Sequence, residues 1–191
     1  MKITTGTARG RLLKTLEGTD TRPTSDKVKQ AVFNSLQYDI EGRFILDLFA
    51  GSGQMGIEAL SRGAAGCVFV DISPDAVKIV RENIKSAGFE DKAIIYTSDA
   101  FDFLKNAGGY DLDKKIGVAF LDPPYKAFST GRGVKNLSDI TAALAGSGIM
   151  AEYGIIVAEC ARAGEVADRA YGFTRYKSAF YGRTAIHYYR I

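Results

Sequence analysis

A single histidine, His187, and two distant cysteines, Cys67 and Cys160, are the scarcest chemistry-bearing residues of this 191-residue chain. One histidine argues against a His-based metal site and against a serine–histidine–aspartate triad, so no metal is expected. His187 stands in an alternating C-terminal segment and reads as an ordinary sheet residue. Each cysteine lies inside an apolar, strand-like run, and both read as buried free thiols. No apolar run approaches the roughly 20 residues that a bilayer span needs. The start, Met1-Lys2-Ile3-Thr4-Thr5, lacks the apolar core of a signal peptide. The expectation is a cytoplasmic protein with no membrane partner. Internal repeats and low-complexity segments are absent too.

What is present is ordinary for a globular protein: 46% hydrophobic and 25% charged residues. The length suits one substantial domain with a small appendage. Net charge is only +3 but uneven. Residues 1–35 carry seven positive side chains (Lys2, Arg9, Arg11, Lys14, Arg22, Lys27, Lys29) against three negative ones (Glu17, Asp20, Asp26). A basic appendage on a near-neutral body suits a polyanionic partner.

Five runs, Phe44–Phe49, Cys67–Ile72, Ala93–Thr97, Ile116–Leu121 and Gly154–Cys160, are rich in Val, Ile and Phe and nearly continuous. Strands buried on both faces read this way. Helix-like stretches lie between them. In Pro74–Ala87, Ala76, Val80, Ile84 and Ala87 share a face, with Pro74 in the first turn and Gly88 as the stop. Gln54–Arg62 closes at Gly63 in the same manner. This alternation predicts a parallel sheet with helices on both faces. Thr174–Tyr181 and Thr184–Arg190, joined at Gly182-Arg183, predict a C-terminal antiparallel hairpin. At the front, residues 1–14 read as two short strand pieces around Gly6 and Gly10, and Ser25 as the cap of a helix with Val28, Ala31, Val32 and Leu36 on its apolar face. The expected division is a basic β-hairpin arm over residues 1–24 and a catalytic domain over 25–191.

Two loops carry the chemistry. Asp47-Leu48-Phe49-Ala50-Gly51-Ser52-Gly53 joins a strand to a helix, which places backbone N–H groups and a helix N-terminus beside a ligand. Phe49 keeps the strand end packed. Gly51-x-Gly53-x-x-Gly56 also matches the dinucleotide fingerprint, and Asp71, 20 residues after Gly51, stands where a carboxylate accepts ribose hydroxyls. A nicotinamide-dependent oxidoreductase is therefore a competitor. Asp47 favours S-adenosylmethionine: a carboxylate there meets an ammonium group but repels a pyrophosphate. Asp99 is placed either to meet an adenine amino group or simply to cap the next helix.

The second loop, Asp122-Pro123-Pro124-Tyr125, ends the fourth run. Ligands of open α/β sheets bind at the carboxyl ends of the strands, so both loops face one crevice. Two prolines remove two backbone donors. What remains is a stiff array of acceptors, the Asp122 carboxylate and the Pro123 carbonyl, which suits an –NH₂ group. Held so, the amine lone pair of a nucleobase is localised toward a sulfonium methyl, and Tyr125 can stack on the ring at roughly 1–3 kcal/mol. No strong base is needed before attack; alignment can supply about 7–11 kcal/mol.

These residues resemble the RsmD family of 16S rRNA guanine-N2 methyltransferases over nearly the whole chain. The resemblance runs through Gly6-x-Ala8-Arg9-Gly10-Arg11-x-Leu13, Thr21-Arg22-Pro23-Thr24, Val28 to Phe33-Asn34 and Asp47–Gly53. It continues in Gly56-Ile57-Glu58-Ala59-Leu60-Ser61-Arg62-Gly63-Ala64, Asp122–Tyr125 and Tyr181-Gly182-x-Thr184. It implies a Rossmann-like class I methyltransferase fold: a mostly parallel seven-stranded sheet with a C-terminal antiparallel hairpin and a short N-terminal extension. It implies S-adenosylmethionine as cofactor, with S-adenosylhomocysteine as product. The cofactor residues would be Asp47, Phe49, Gly51, Gly53, Asp71, Ile72, Asp99 and Ala100, with Thr24 from an N-terminal segment closing over them. Asp122, Pro123, Pro124 and Tyr125 would be catalytic, and Arg9, Arg11, Arg22 and Arg183 would contact RNA. The implied partner is 16S ribosomal RNA, within the small ribosomal subunit or its precursor, met by a monomer; the target is a base splayed out of a loop. A DNA adenine-N6 methyltransferase would use the same two loops but a larger region for reading duplex sequence. A non-catalytic rRNA-binding assembly factor is the remaining alternative.

Overall fold

The near-continuous apolar runs become the inner strands of one sheet. The computed structural model describes residues 1–16, 25–109, 114–123, 137–161, 169–170 and 172–190. Within them lie β1 (Phe44–Asp47), β2 (Gly66–Asp71), β3 (Ala93–Thr97), β4 (Ile116–Leu121), β5 (Met150–Ala161), β6 (Arg169–Ala170), β7 (Phe173–Tyr181) and β8 (Thr184–Arg190). They join in the order β3-β2-β1-β4-β5-β8-β7-β6. The first five are mutually parallel; β8 runs antiparallel to β5 and β7 antiparallel to β8. Seven strands and the terminal hairpin match the expectation. The eighth, β6, is a two-residue pairing on β7, too short to leave a hydrophobic pattern in the sequence.

The helices are α1 (Asp26–Ser35), α2 (Gln54–Ser61), α3 (Pro74–Ala87), α4 (Ala100–Lys105) and α5 (Leu137–Gly146). One face of the sheet packs Ile45, Phe69, Val118 and Val157 against Val32, Phe33, Ile57 and Val80 of the first three helices. The other packs Leu46, Val68, Ala119 and Ile156 against Phe103, Leu104, Ile140 and Leu144 of the last two. Successive residues of one strand thus feed opposite layers, and neither face is left for polar side chains. No described helix is long and apolar enough to cross a membrane.

Local signals set several boundaries. Ser25 caps α1, accepting the Val28 N–H at 3.3 Å, and Ser73 caps α3, accepting that of Ala76 at 3.3 Å. β5 begins four residues earlier than Gly154, where the sequence pattern starts it. Ile116 pairs with Met150 but Val118 with Ile155, so extra residues bulge out, with Tyr153 at φ 57°. Cys67 is buried and Cys160 half-buried, both free thiols. His187 is a buried sheet residue whose Nδ1 meets the Ser178 hydroxyl at 2.8 Å.

The front departs from expectation. In place of two short strands there is one antiparallel bridge, Lys2–Leu12, flanked by bonds from Ile3 N to Arg11 O and Leu13 N to Met1 O. So small a hairpin is not stable alone. Ile3 and Leu13 are buried in the same apolar layer as α1 and α2.

Candidate active site

Sheet topology assembles the two loops. β1 lies between β2 and β4, so strand order reverses beside it, and the segments leaving β1 and β4 open a crevice at the carboxyl edge. Asp99, Asp71, Asp47 and Asp122, which follow or end β3, β2, β1 and β4, stand in that order along the edge. Leu48 N donates to Phe120 O at 3.1 Å and Ala50 N to Val70 O at 2.9 Å, which ties the start of the first loop to both neighbouring strands.

The glycines have separate tasks. Gly53, at φ 77°, is the residue before α2 and turns the chain into it. A Cβ on Gly56 would stand 2.3 Å from the Phe69 ring and 2.7 Å from the Cys67 sulfur, so Gly56 lets α2 lie close on β2. At Gly51 the space a side chain would occupy is open, leaving room for a ligand to approach the backbone. Phe49 is half-buried and packs on the layer beneath.

Each acidic residue at this edge has a structural partner. Asp71 accepts Gly51 N at 2.7 Å on one oxygen and Ser73 N at 2.9 Å on the other, so it fixes the glycine loop and the start of α3 together. Asp99 caps α4, accepting Phe101 N and Asp102 N at 2.9 and 3.2 Å, both on Oδ1. The capping role is thus present, carried by one of its two oxygens. Ile72, beside Asp71, is 63% exposed, an apolar wall at the mouth of the crevice. Ala100 is buried at the first turn of α4.

Asp47 is buried and accepts Gly56 N at 2.9 Å. Burial pushes its carboxyl up to about 7, the Gly56 bond opposes this, and the neighbouring carboxylates of Asp122 and Asp71 push it further. Burial likewise pushes up the Cys67 thiol, with Asp47 adding to the shift. Asp122 is half-buried and Pro123 buried. Asp122 lines a hollow with Val32 of α1, Met55 of α2, Phe120, Val157 and Glu159. Pro124 and Tyr125, and Thr24 and Arg22, lie outside the described residues.

The structure also shows residues that sequence reasoning passed over. Glu58 of α2 is wholly buried and accepts Thr4 N at 2.8 Å, the Thr4 hydroxyl at 2.7 Å and Thr5 N at 3.1 Å. Arg62 donates to it at 2.9 Å, and buried Lys29 lies 3.4 Å away. Burial would raise the Glu58 carboxyl, but Thr4, Arg62 and the Lys29 charge together hold it below its ordinary value. Ser61 accepts Ala8 N at 3.0 Å and donates to Thr5 O at 2.6 Å. Asn83 of α3 accepts Lys14 N at 2.8 Å and donates to Ser52 O at 2.8 Å, so one side chain joins the N-terminal arm to the glycine loop. A signal existed: Glu58, Ser61 and Arg62 recur at helical spacing in a motif already singled out, on a helix otherwise too apolar to be a surface one.

The basic front is correspondingly less free than its composition implied. Lys29 is internal and donates to Lys2 O at 2.6 Å. Lys14 pairs with Glu82 at 2.8 Å, and Arg11 donates to Ser86 O. Arg9 is exposed. Arg183 is exposed in the turn between β7 and β8, which the Ala161–Thr184 pairing sets at the carboxyl edge.

Comparison with known proteins places this geometry. The family profile described as Conserved hypothetical protein 95 matches residues 1–190. The chain is 37% identical over 190 residues to the Bacillus subtilis protein named "Putative rRNA methyltransferase YlbH", covering 100% of this chain and 98% of that one. It is 35% identical over 126 residues to the "Ribosomal RNA small subunit methyltransferase D" of Haemophilus influenzae, covering 65% of this chain and 64% of that one. The solved structure titled "Putative methyltransferase yhhF from Escherichia coli" aligns with a TM-score of 0.82 at 26% identity, over 100% of this chain and 97% of that one.

Proposed function

Since the chain belongs to the RsmD family, described as Conserved hypothetical protein 95, we propose that it methylates the exocyclic N2 amine of a guanine in 16S ribosomal RNA. The observation that carries this reading is the adjacency of β1 and β4, which sets the glycine loop and Asp122 side by side at one edge. The crevice fits S-adenosylmethionine on three counts. Gly51 offers an open backbone, Ile72 an exposed apolar wall, and buried Asp47 a carboxyl that a cationic ligand would relieve. A nicotinamide dinucleotide fits poorly, because its pyrophosphate would meet the Asp47 carboxyl beside the glycine loop.

S-adenosylmethionine, when bound, would supply a sulfonium-activated methyl group, the methyl–sulfur pair passing to sulfur as N2 takes the carbon. The chain's own residues align the amine. The Asp122 carboxylate and the Pro123 carbonyl would hold its two hydrogens, which takes the lone pair out of conjugation with the ring, and Asp122 can take the proton that N2 sheds. Asp71 and Asn83 hold the glycine loop at Gly51 and Ser52, so the cofactor site is formed before the cofactor arrives. The protein acts as a cytoplasmic monomer on the small subunit or its precursor, with Arg9 and Arg183 on phosphates.

Incubation with labelled S-adenosylmethionine and, separately, DNA, naked rRNA and small ribosomal subunits is the direct test. Label is expected in RNA alone, and in N2-methylguanosine after digestion; label confined to DNA would overturn the reading. Asp122→Ala is expected to lose at least about 1,000-fold in rate, with cofactor binding by calorimetry kept.

A further inference from the structure

Glu159 was not singled out by any motif, yet it stands beside Asp122. Leu121 of β4 pairs with Ala158 of β5, so Asp122 and Glu159 follow on adjacent parallel strands, ~4.8 Å apart. Phe120 and Val157 face the layer that holds α1 and α2. Two residues further along each strand, the side chains of Asp122 and Glu159 return to that side. Both are half-buried, and both line the hollow whose walls are Val32, Met55, Phe120 and Val157. Two acceptors on adjacent strands at the rim of an apolar hollow suit a flat ligand that presents several donors along one edge.

Guanine presents such an edge: N1–H lies directly beside the N2 amine. Adenine presents an amine beside N1, a bare acceptor that a second carboxylate repels. We infer that Glu159 is the guanine-selecting residue, accepting N1–H while Asp122 and the Pro123 carbonyl hold the N2 hydrogens. The inference rests on the guanine-N2 reading above and deepens it. Two adjacent carboxylates grip two adjacent donors, which fixes the in-plane rotation of the base so that N2, and not N1 or O6, is the atom presented for transfer. A site built around such hydrogen bonds discriminates strongly, because a base lacking the donor sets the lone pair of a bare ring nitrogen against a carboxylate.

The test uses the full chain with small subunits or the RNA substrate, after the modified position has been mapped by mass spectrometry. Glu159→Gln is expected to lose at least about 100-fold in kcat/KM, while Glu159→Asp keeps a larger part of it. S-adenosylmethionine should bind all three proteins with unchanged affinity. The decisive readout is a substrate whose target guanine is replaced by 2-aminopurine, which keeps the N2 amine but has a bare N1. The natural protein should reject it by at least about 100-fold. Glu159→Gln, whose amide can donate to N1, should narrow that ratio at least tenfold. A product other than N2-methylguanosine from the natural protein would sink the underlying reading. If N2-methylguanosine is the product, an unchanged 2-aminopurine ratio in Glu159→Gln, or kcat/KM within threefold of the natural protein, sinks the inference alone.

Discussion

Asp47 shows how one residue carries both cost and use. Its native carboxyl titrates near 7 because of burial, against 3.8 ordinarily. Between those values the folded state holds a proton that the unfolded state has released. Stability therefore falls as pH rises from about 4 to about 7, by a few kcal/mol at most. Asp47→Asn should flatten that slope: in urea denaturation the variant's stability relative to the natural protein should rise steadily between about pH 4 and about pH 7 and level off above that. A cationic ligand favours the carboxylate, so S-adenosylmethionine should bind more tightly at pH 8 than at pH 6, with proton release that calorimetry in buffers of different ionisation enthalpy detects. The sequence displayed Asp47 as a strand-end carboxylate ahead of two glycines. Its burial was not legible, because that depends on how close Gly56 lets α2 approach β2.

Among the elements, α3 was legible from end to end, since Ser73, Pro74 and Gly88 all act within a turn of where they stand. The N-terminal arm was not. Its form depends on Glu58, Ser61 and Asn83, partners 53 to 69 residues away, and no local pattern announces such pairs. Glu58→Ala would leave Lys29 buried without its main counter-charge, at a cost of about 3–5 kcal/mol. Because the Glu58 carboxyl titrates below its ordinary value, this stabilisation is present above the unfolded value and fades as pH falls through the folded one. Gly6→Ala attacks the same contact from the other side: at φ 87° its Cβ would fall 1.7 Å from Ser61 O. Both variants should show a lowered Tm and rapid protease cleavage within residues 1–14, at enzyme doses that leave the natural protein intact.

On the scale of the whole molecule, strand character was legible and strand order was not, because the runs reveal burial but not which neighbour each strand takes. The observed order gathers at one edge Asp99, Asp71, Asp47, Asp122 and the Arg183 turn. If Arg9 and Arg183 meet phosphates, replacing both by Ala should reduce the slope of log affinity against log salt by about 2. RNA filter binding measures this, and cofactor affinity should not move. The arm's long-range anchoring has a further consequence, for translation. As the chain is made, residues 1–14 must wait for docks encoded 53 to 69 residues downstream. At ~5–20 residues per second that delay lasts several seconds. Throughout it this basic segment stays undocked, and it settles only when α2 and α3 have emerged.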